Sequence, residues 1–182
     1  KRQVIEDIKL DFEDVLIYPV PSDKSLTRKS VDIEIDWLDT KAYPVVISNM
    51  LSTGTYKIAN ILTPLKFFTF IHKEYTVEEH LKELSKMNDR RYIAITSGVQ
   101  SWDKERTIEV VKKYPDIGMI NVDIANVYAN VKGMLDTLQI YRKEFPHISI
   151  SAGNIATPKL IEKLFNAGTD YIKVGVGSGA AC

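Results

Sequence analysis

The sequence predicts an α/β fold built on a parallel sheet, and three observations carry that prediction. From about residue 43 onward, short apolar runs alternate with longer amphipathic segments. The runs are apolar on both sides, as strands covered by helices on both faces must be. The residues that follow each run are small or polar, as expected where such sheets carry their chemistry.

Taken in chain order, a polar loop is expected around Pro21, Ser22, Asp23 and Lys24. Residues 31–37 then alternate Val31, Ile33 and Ile35 with Asp32, Glu34 and Asp36, the period of a half-exposed strand, and are read as peripheral. Strands are expected at 45–48, 67–71, 92–95, 119–122, 148–151 and 171–174, with helices near 54–62, 77–87, 103–114, 128–144 and 158–167. Thr76 with Glu79 three residues on reads as an N-terminal capping pair, and Thr157-Pro158 places proline in a first helical turn. Gly168 stands where a C-terminal glycine cap belongs. Six β-α repeats result, a grammar shared by the doubly wound sheet and the eight-stranded barrel. Six strands alone do not choose between them; in a barrel, two strands would lie beyond Cys182.

Composition narrows the class of partner. The 182 residues carry 24 acidic and 24 basic side chains, so no global charge attracts nucleic acid or an anionic membrane, and small ligands are expected instead. The longest apolar runs, 43–48 and 65–71, fall far short of the roughly 18 to 20 residues of a membrane span. The polar N-terminus resembles no signal peptide. The single cysteine cannot form an internal disulfide, which points to a reducing, cytoplasmic setting. The missing initiator methionine and the terminal cysteine lead us to expect one domain over residues 1–182 that continues beyond them.

The expected strand ends supply the candidate site: Ser48-Asn49-Met50, His72-Lys73, Ser97-Gly98, Asp123 to Asn126, Ala152-Gly153-Asn154 and Gly175 to Gly179. The strongest local signal is Val174-Gly-Val-Gly-Ser-Gly-Ala-Ala-Cys182. Alternate glycines let the backbone turn sharply and aim its polar groups inward at a phosphate or a monovalent cation, although a plain glycine-rich turn is also open. Cys182 is open to two readings, a buried small apolar residue or a reactive thiol on a glycine loop. Asp123 either holds a ligand group or caps the next helix. Lys73 places a cation at a strand end, where lysines are commonly solvated. Three His and one Cys without metal-ligand spacing disfavour zinc.

In combination these residues resemble the IMP dehydrogenase and GMP reductase family, in the family's own order and over nearly the whole chain. Lys9-Leu-Asp-Phe-Glu-Asp-Val-Leu-Ile17 is similar to its N-terminal signature, Asn49-Met50 to its first strand-end motif, Ser151-Ala-Gly-Asn154 to its Ala-Gly-Asn turn, and the glycines before Cys182 to its catalytic loop. Ile71-His-Lys-Glu-Tyr75 and Asp123-Ile-Ala-Asn126 resemble the reductase branch, as does the lack of a regulatory insertion after the early strands.

The resemblance implies a (β/α)8 TIM barrel, of which this chain covers about the first six units, assembled as a homotetramer. It implies that Cys182 attacks carbon 2 of the guanine of GMP, that ammonia leaves and NADPH supplies hydride, and that IMP is released. Carried over by position, Lys73, Asp123, Ile124, Ala125, Val176 and Gly177 would line the cofactor site. Met50 and Gly179 would meet the nucleotide. Carbonyls of Gly177, Gly179 and Cys182 would hold a potassium ion. The alternatives are an IMP dehydrogenase, oxidising IMP to XMP with NAD, or a catalytically impaired relative that binds purine nucleotide. Three departures bear on that choice: Ala180 stands where the family has Ser, Leu51 where it has an acid, and Val127 where it has Gly. The family's catalytic Thr and Glu would lie after Cys182.

Overall fold

The computed structural model describes residues 10, 12–21, 25–37 and 40–176. Gly177, Gly179, Ala180 and Cys182 of the expected catalytic loop, and Lys9 and Asp11 of the N-terminal signature, lie outside the described residues. The chain divides into two compact units, residues 1–32 with 177–182, and residues 33–176. In the first, the described residues include a 3-10 turn over Phe12–Asp14 and a tight turn closed by the Ser30 amide donating to the Thr27 carbonyl at 3.0 Å.

The second unit opens with an antiparallel hairpin, β1 (Ile35–Trp37) against β2 (Thr40–Ala42). Six parallel strands follow: β3 (Val46–Ile47), β4 (Phe68–Ile71), β5 (Ile93–Ser97), β6 (Met119–Asp123), β7 (Ser149–Ile155) and β8 (Tyr171–Val174). They lie in one sheet in strict chain order, β3-β4-β5-β6-β7-β8. A doubly wound sheet reverses its strand order at a switch point, so an order without reversal selects the singly wound barrel progression that the sequence left open. Side chains show that the sheet curls. Trp37 packs on both Phe68 of β4 and Tyr171 of β8, with ring centroids 5.2 and 5.1 Å away.

The helices begin and end where local chemistry favours it. In α1 (Tyr56–Leu62), Thr55 Oγ1 accepts from the Ile58 amide. In α2 (Val77–Leu84), the expected capping pair forms both bonds: Thr76 Oγ1 accepts from the Glu79 amide, and Glu79 Oε2 accepts from the Thr76 amide at 2.8 Å. Helices α3 (Ser101–Lys113) and α4 (Val131–Glu144) follow, the latter starting later than expected because a 3-10 turn, Val127–Ala129, comes first. Helix α5 (Pro158–Asn166) carries its proline in the first turn. Gly168, at φ 104°, takes the left-handed position after it.

Strand residues alternate between two cores. Ile71, Ile93, Ile95, Ile120, Val122, Ile150 and Ala152 face the helices and form the larger cluster with residues such as Leu84, Val110, Met134 and Leu138. Phe68, Phe70, Ala94 and Met119 face inward with Ala42 and Tyr92, and Trp37, Val46 and Tyr171 pack against them. Each fully buried Ile or Leu contributes roughly 1.5–3 kcal/mol, so the helix layer dominates stability. The hairpin corrects one expectation. The stretch read as a peripheral strand over 31–37 is a strand only at Ile35–Trp37, and Trp37 turns into the concave inner face. The three-residue β2 had no periodic signal; its register, Ile35 opposite Ala42, comes from folding back on β1.

Candidate functional site

The concave face is built in rows, one side chain per strand. Ala94, Met119 and Ser149 share a lower row; Thr96, Asn121, Ser151 and Tyr171 share the next; Asp123, Gly153 and Lys173 share the uppermost. Polarity rises toward the carboxyl ends of the strands. In the middle row Ser151 Oγ donates to Asn121 Oδ1 at 2.8 Å, and Asn121 Nδ2 donates to Thr96 Oγ1 at 3.1 Å. All three side chains are buried, so these bonds satisfy groups that would otherwise be costly to desolvate.

The uppermost row carries charge. Lys173 Nζ pairs with Asp123 Oδ2 and donates to Asn49 Oδ1 at 3.0 Å. The Lys173 and Asp123 side chains are only 24% and 20% exposed. Losing one partner of so shielded a pair leaves the other charge poorly compensated. Asp123 therefore does not cap the next helix, one of the two roles its sequence position left open. That work falls to Asn126 Oδ1, accepting from the Ala129 amide, and Asn130 Oδ1, accepting from the Gly133 amide, each at 3.1 Å.

Two further strand ends are firmly anchored. Asn154 Nδ2 donates to the Gly175 carbonyl at 3.1 Å, and the Gly175 amide donates to the Ile155 carbonyl at 2.8 Å. These bonds fix the first turn of the glycine-rich segment, where Gly175 sits at φ 120°. After β4, the His72 amide donates to the Gly54 carbonyl at 2.9 Å, and the His72 ring stacks on Tyr75 with centroids 4.3 Å apart. Burial pulls the His72 pKa below its usual value, against the opposing pull of Glu74 and Glu79. Behind it, Tyr56 Oη and His80 Nδ1 are hydrogen-bonded at 2.5 Å, and burial drives the His80 pKa down to about 3.

Asp123 and Asn49 thus meet through Lys173, while the other expected residues stand separately. Lys73 is exposed and makes no hydrogen bond or ion pair among the described residues. Met50, Ala125 and Val176 are exposed and Ile124 is half-buried. Lys173 itself was not singled out from sequence. Its signal was there: a lysine in an apolar strand, two residues from Tyr171 and hence on the same face. Of the departures, Val127 is fully buried in the helix-side core, so its bulk is absorbed by packing, whereas Leu51 is 67% exposed.

The domain model described as IMP dehydrogenase / GMP reductase domain matches residues 9–182. A GMP reductase of Phytophthora infestans is 36% identical over 182 residues, covering 97% of this chain and 50% of that protein. GMP reductase 2 of Bos taurus is 34% identical over 188 residues, covering 97% and 52%. The chain therefore spans about half the length of these curated relatives. Among solved structures, inosine 5′-monophosphate dehydrogenase from Legionella pneumophila superposes with a TM-score of 0.82 at 25% identity, over 94% of this chain and 52% of that one.

Proposed function

Because this chain belongs to the IMP dehydrogenase / GMP reductase family, we propose that it supplies half of the active site for NADPH-dependent reductive deamination of GMP to IMP and ammonia. The observation that carries this reading is the shielded Asp123 carboxylate at the end of β6, held by Lys173 of β8, the strand that leads into the glycine-rich segment. The two curated relatives, at 36% and 34% identity, are both GMP reductases, which favours the reductase over the dehydrogenase.

The residues fit the cofactor by their chemistry. Asp123 offers a half-buried acceptor for a hydroxyl or carboxamide, and Lys73, exposed and without a partner among the described residues, a cation for an anionic group. Ile124, Ala125, Val176 and Gly177 would complete that wall, and Met50 and Gly179 would meet the nucleotide. The Cys182 thiolate attacks carbon 2 of the guanine ring, and the amino group departs as ammonia once protonated, leaving a thioimidate. When bound, NADPH supplies the hydride to that same carbon; the carbon–sulfur bond then breaks and IMP leaves with the thiol regenerated. Covalent catalysis divides one difficult substitution into two easier steps. Potassium at the carbonyls of Gly177, Gly179 and Cys182 would hold the loop in shape. The protein would work in the cytoplasm as a homotetramer.

The test is loss of NADPH absorbance when full-length protein meets GMP with potassium present, alongside an ammonia assay. One NADPH consumed per ammonia released supports the reductase. Turnover of IMP with NAD instead would assign a dehydrogenase. GMP binding without either turnover would assign a nucleotide-binding relative, the outcome to which exposed Leu51 gives weight.

A further inference from the structure

The uppermost inner row of the sheet has an unusual composition: an acid, a glycine and a base on three adjacent strands. Asp123 of β6 pairs in register with Gly153 of β7, and Gly153 with Lys173 of β8. Neighbouring strands lie about 4.8 Å apart, so Asp123 and Lys173 are separated by a whole strand. A side chain at 153 would occupy the space between them: a Cβ there would lie 2.6 Å from Lys173 Cβ and 2.7 Å from its carbonyl oxygen. Glycine leaves that lane empty, and the long lysine stem crosses it to reach the carboxylate. The same ammonium reaches Asn49, just past β3 and 124 residues away in sequence. Lysine suits this task because its ammonium carries three donors on one atom. Two are used here, on groups at opposite sides of the sheet's curl.

We propose that Lys173 is a positioning residue that couples Asp123, on the cofactor side of the rim, to Asn49, on the nucleotide side next to Met50. This rests on the reading of Asp123 as a cofactor contact. With Lys173 in place, Asp123 is held in one orientation and the end of β3 is held in register with the ends of β6 and β8. Without it, Asp123 and Asn49 lose their shared partner, and a change on one side of the rim no longer reaches the other.

The experiment compares wild type, Lys173→Met, Lys173→Arg, Asn49→Ala and the Asn49→Ala/Lys173→Met double variant in the full-length protein. NADPH affinity is read by fluorescence titration, KM and kcat are read separately, and folding is checked by thermal unfolding. Lys173→Met is expected to weaken NADPH binding at least tenfold and to raise the KM for NADPH more than it lowers kcat. Lys173→Arg, which keeps a cation with several donors, should restore affinity to within about threefold. Asn49→Ala should weaken NADPH binding in the wild-type background and have no added effect on Lys173→Met. Wild-type affinity in a folded Lys173→Met variant, or strictly additive effects of the two substitutions, would overturn the proposal. A wild type that binds no NADPH would instead overturn the cofactor reading, and the proposal with it.

Discussion

Trp37 and Tyr171 stack with their rings 17° from parallel, joining the hairpin that precedes the sheet to the last strand of it. Trp37 also meets Phe68 of β4. The hairpin thereby fills the inner face below the polar rows and links both sides of the curl. Trp37→Ala is expected to cost about 3 kcal/mol, because a large aromatic leaves a cavity that short strands cannot collapse around. Urea unfolding followed by circular dichroism measures it; an unchanged midpoint would show that the hairpin merely rests against the sheet.

Gly153→Ala makes a sharper demand on the sheet. The added methyl meets Lys173 Cβ and backbone rather than the end of a flexible chain, so β7 and β8 must separate locally. Overpacking of this kind costs about 1–3 kcal/mol. The variant should lower the melting temperature and, by displacing Lys173, weaken cofactor binding as well. A variant as stable as wild type would mean that the two strands have more freedom than their register implies.

Much of this architecture could be read from residue patterns, and the failures have physical causes. Strand β8 falls at 171–174 as expected, and the capping pair Thr76–Glu79 and the positive-φ Gly168 are as the sequence suggests, since each depends on neighbours a few residues away. Strand β7 runs to Ile155 rather than ending at 151, because Ser151 and Gly153 face a concave interior whose small and polar residues a soluble-surface pattern imitates. The expected rim was recognised as a set of strand ends. Its cross-links were not. Asp123 reaches Lys173 only because β6, β7 and β8 bring 123, 153 and 173 into one row, and sequence distance carries no trace of that pairing.

The His80 side chain makes stability depend on pH. It is fully buried on α2, bonded to Tyr56, with Arg106 and His72 adding to the burial that holds its pKa near 3. An unfolded histidine titrates near 6.5, so below that pH the unfolded chain binds a proton that the folded chain refuses. Stability is therefore unaffected above about 6.5 and falls as pH drops from there toward the folded value. From pH 7.5 to 5.5 this group alone should remove about 1.4 kcal/mol. His80→Gln should flatten the dependence by that amount in urea titrations at the two pH values; an equal slope in both proteins would mean that His80 accepts its proton while folded.

Cys182→Ala separates binding from chemistry. The proposed reaction requires a thiolate to form and break a carbon–sulfur bond at carbon 2, and no other cysteine exists in the 182 residues to substitute. Alanine removes the sulfur and little volume, and the described residues that would meet nucleotide and cofactor, among them Met50, Lys73 and Asp123, lie at or just past the ends of β3, β4 and β6. Turnover should fall by at least 10³-fold, while GMP and NADPH affinities stay within a few fold of wild type. The direct readout is a covalent one: mass spectrometry of wild type quenched during turnover should show protein carrying the nucleotide, and the variant should show none. Turnover at the wild-type rate in Cys182→Ala would remove the nucleophile and, with it, the two-step route to IMP.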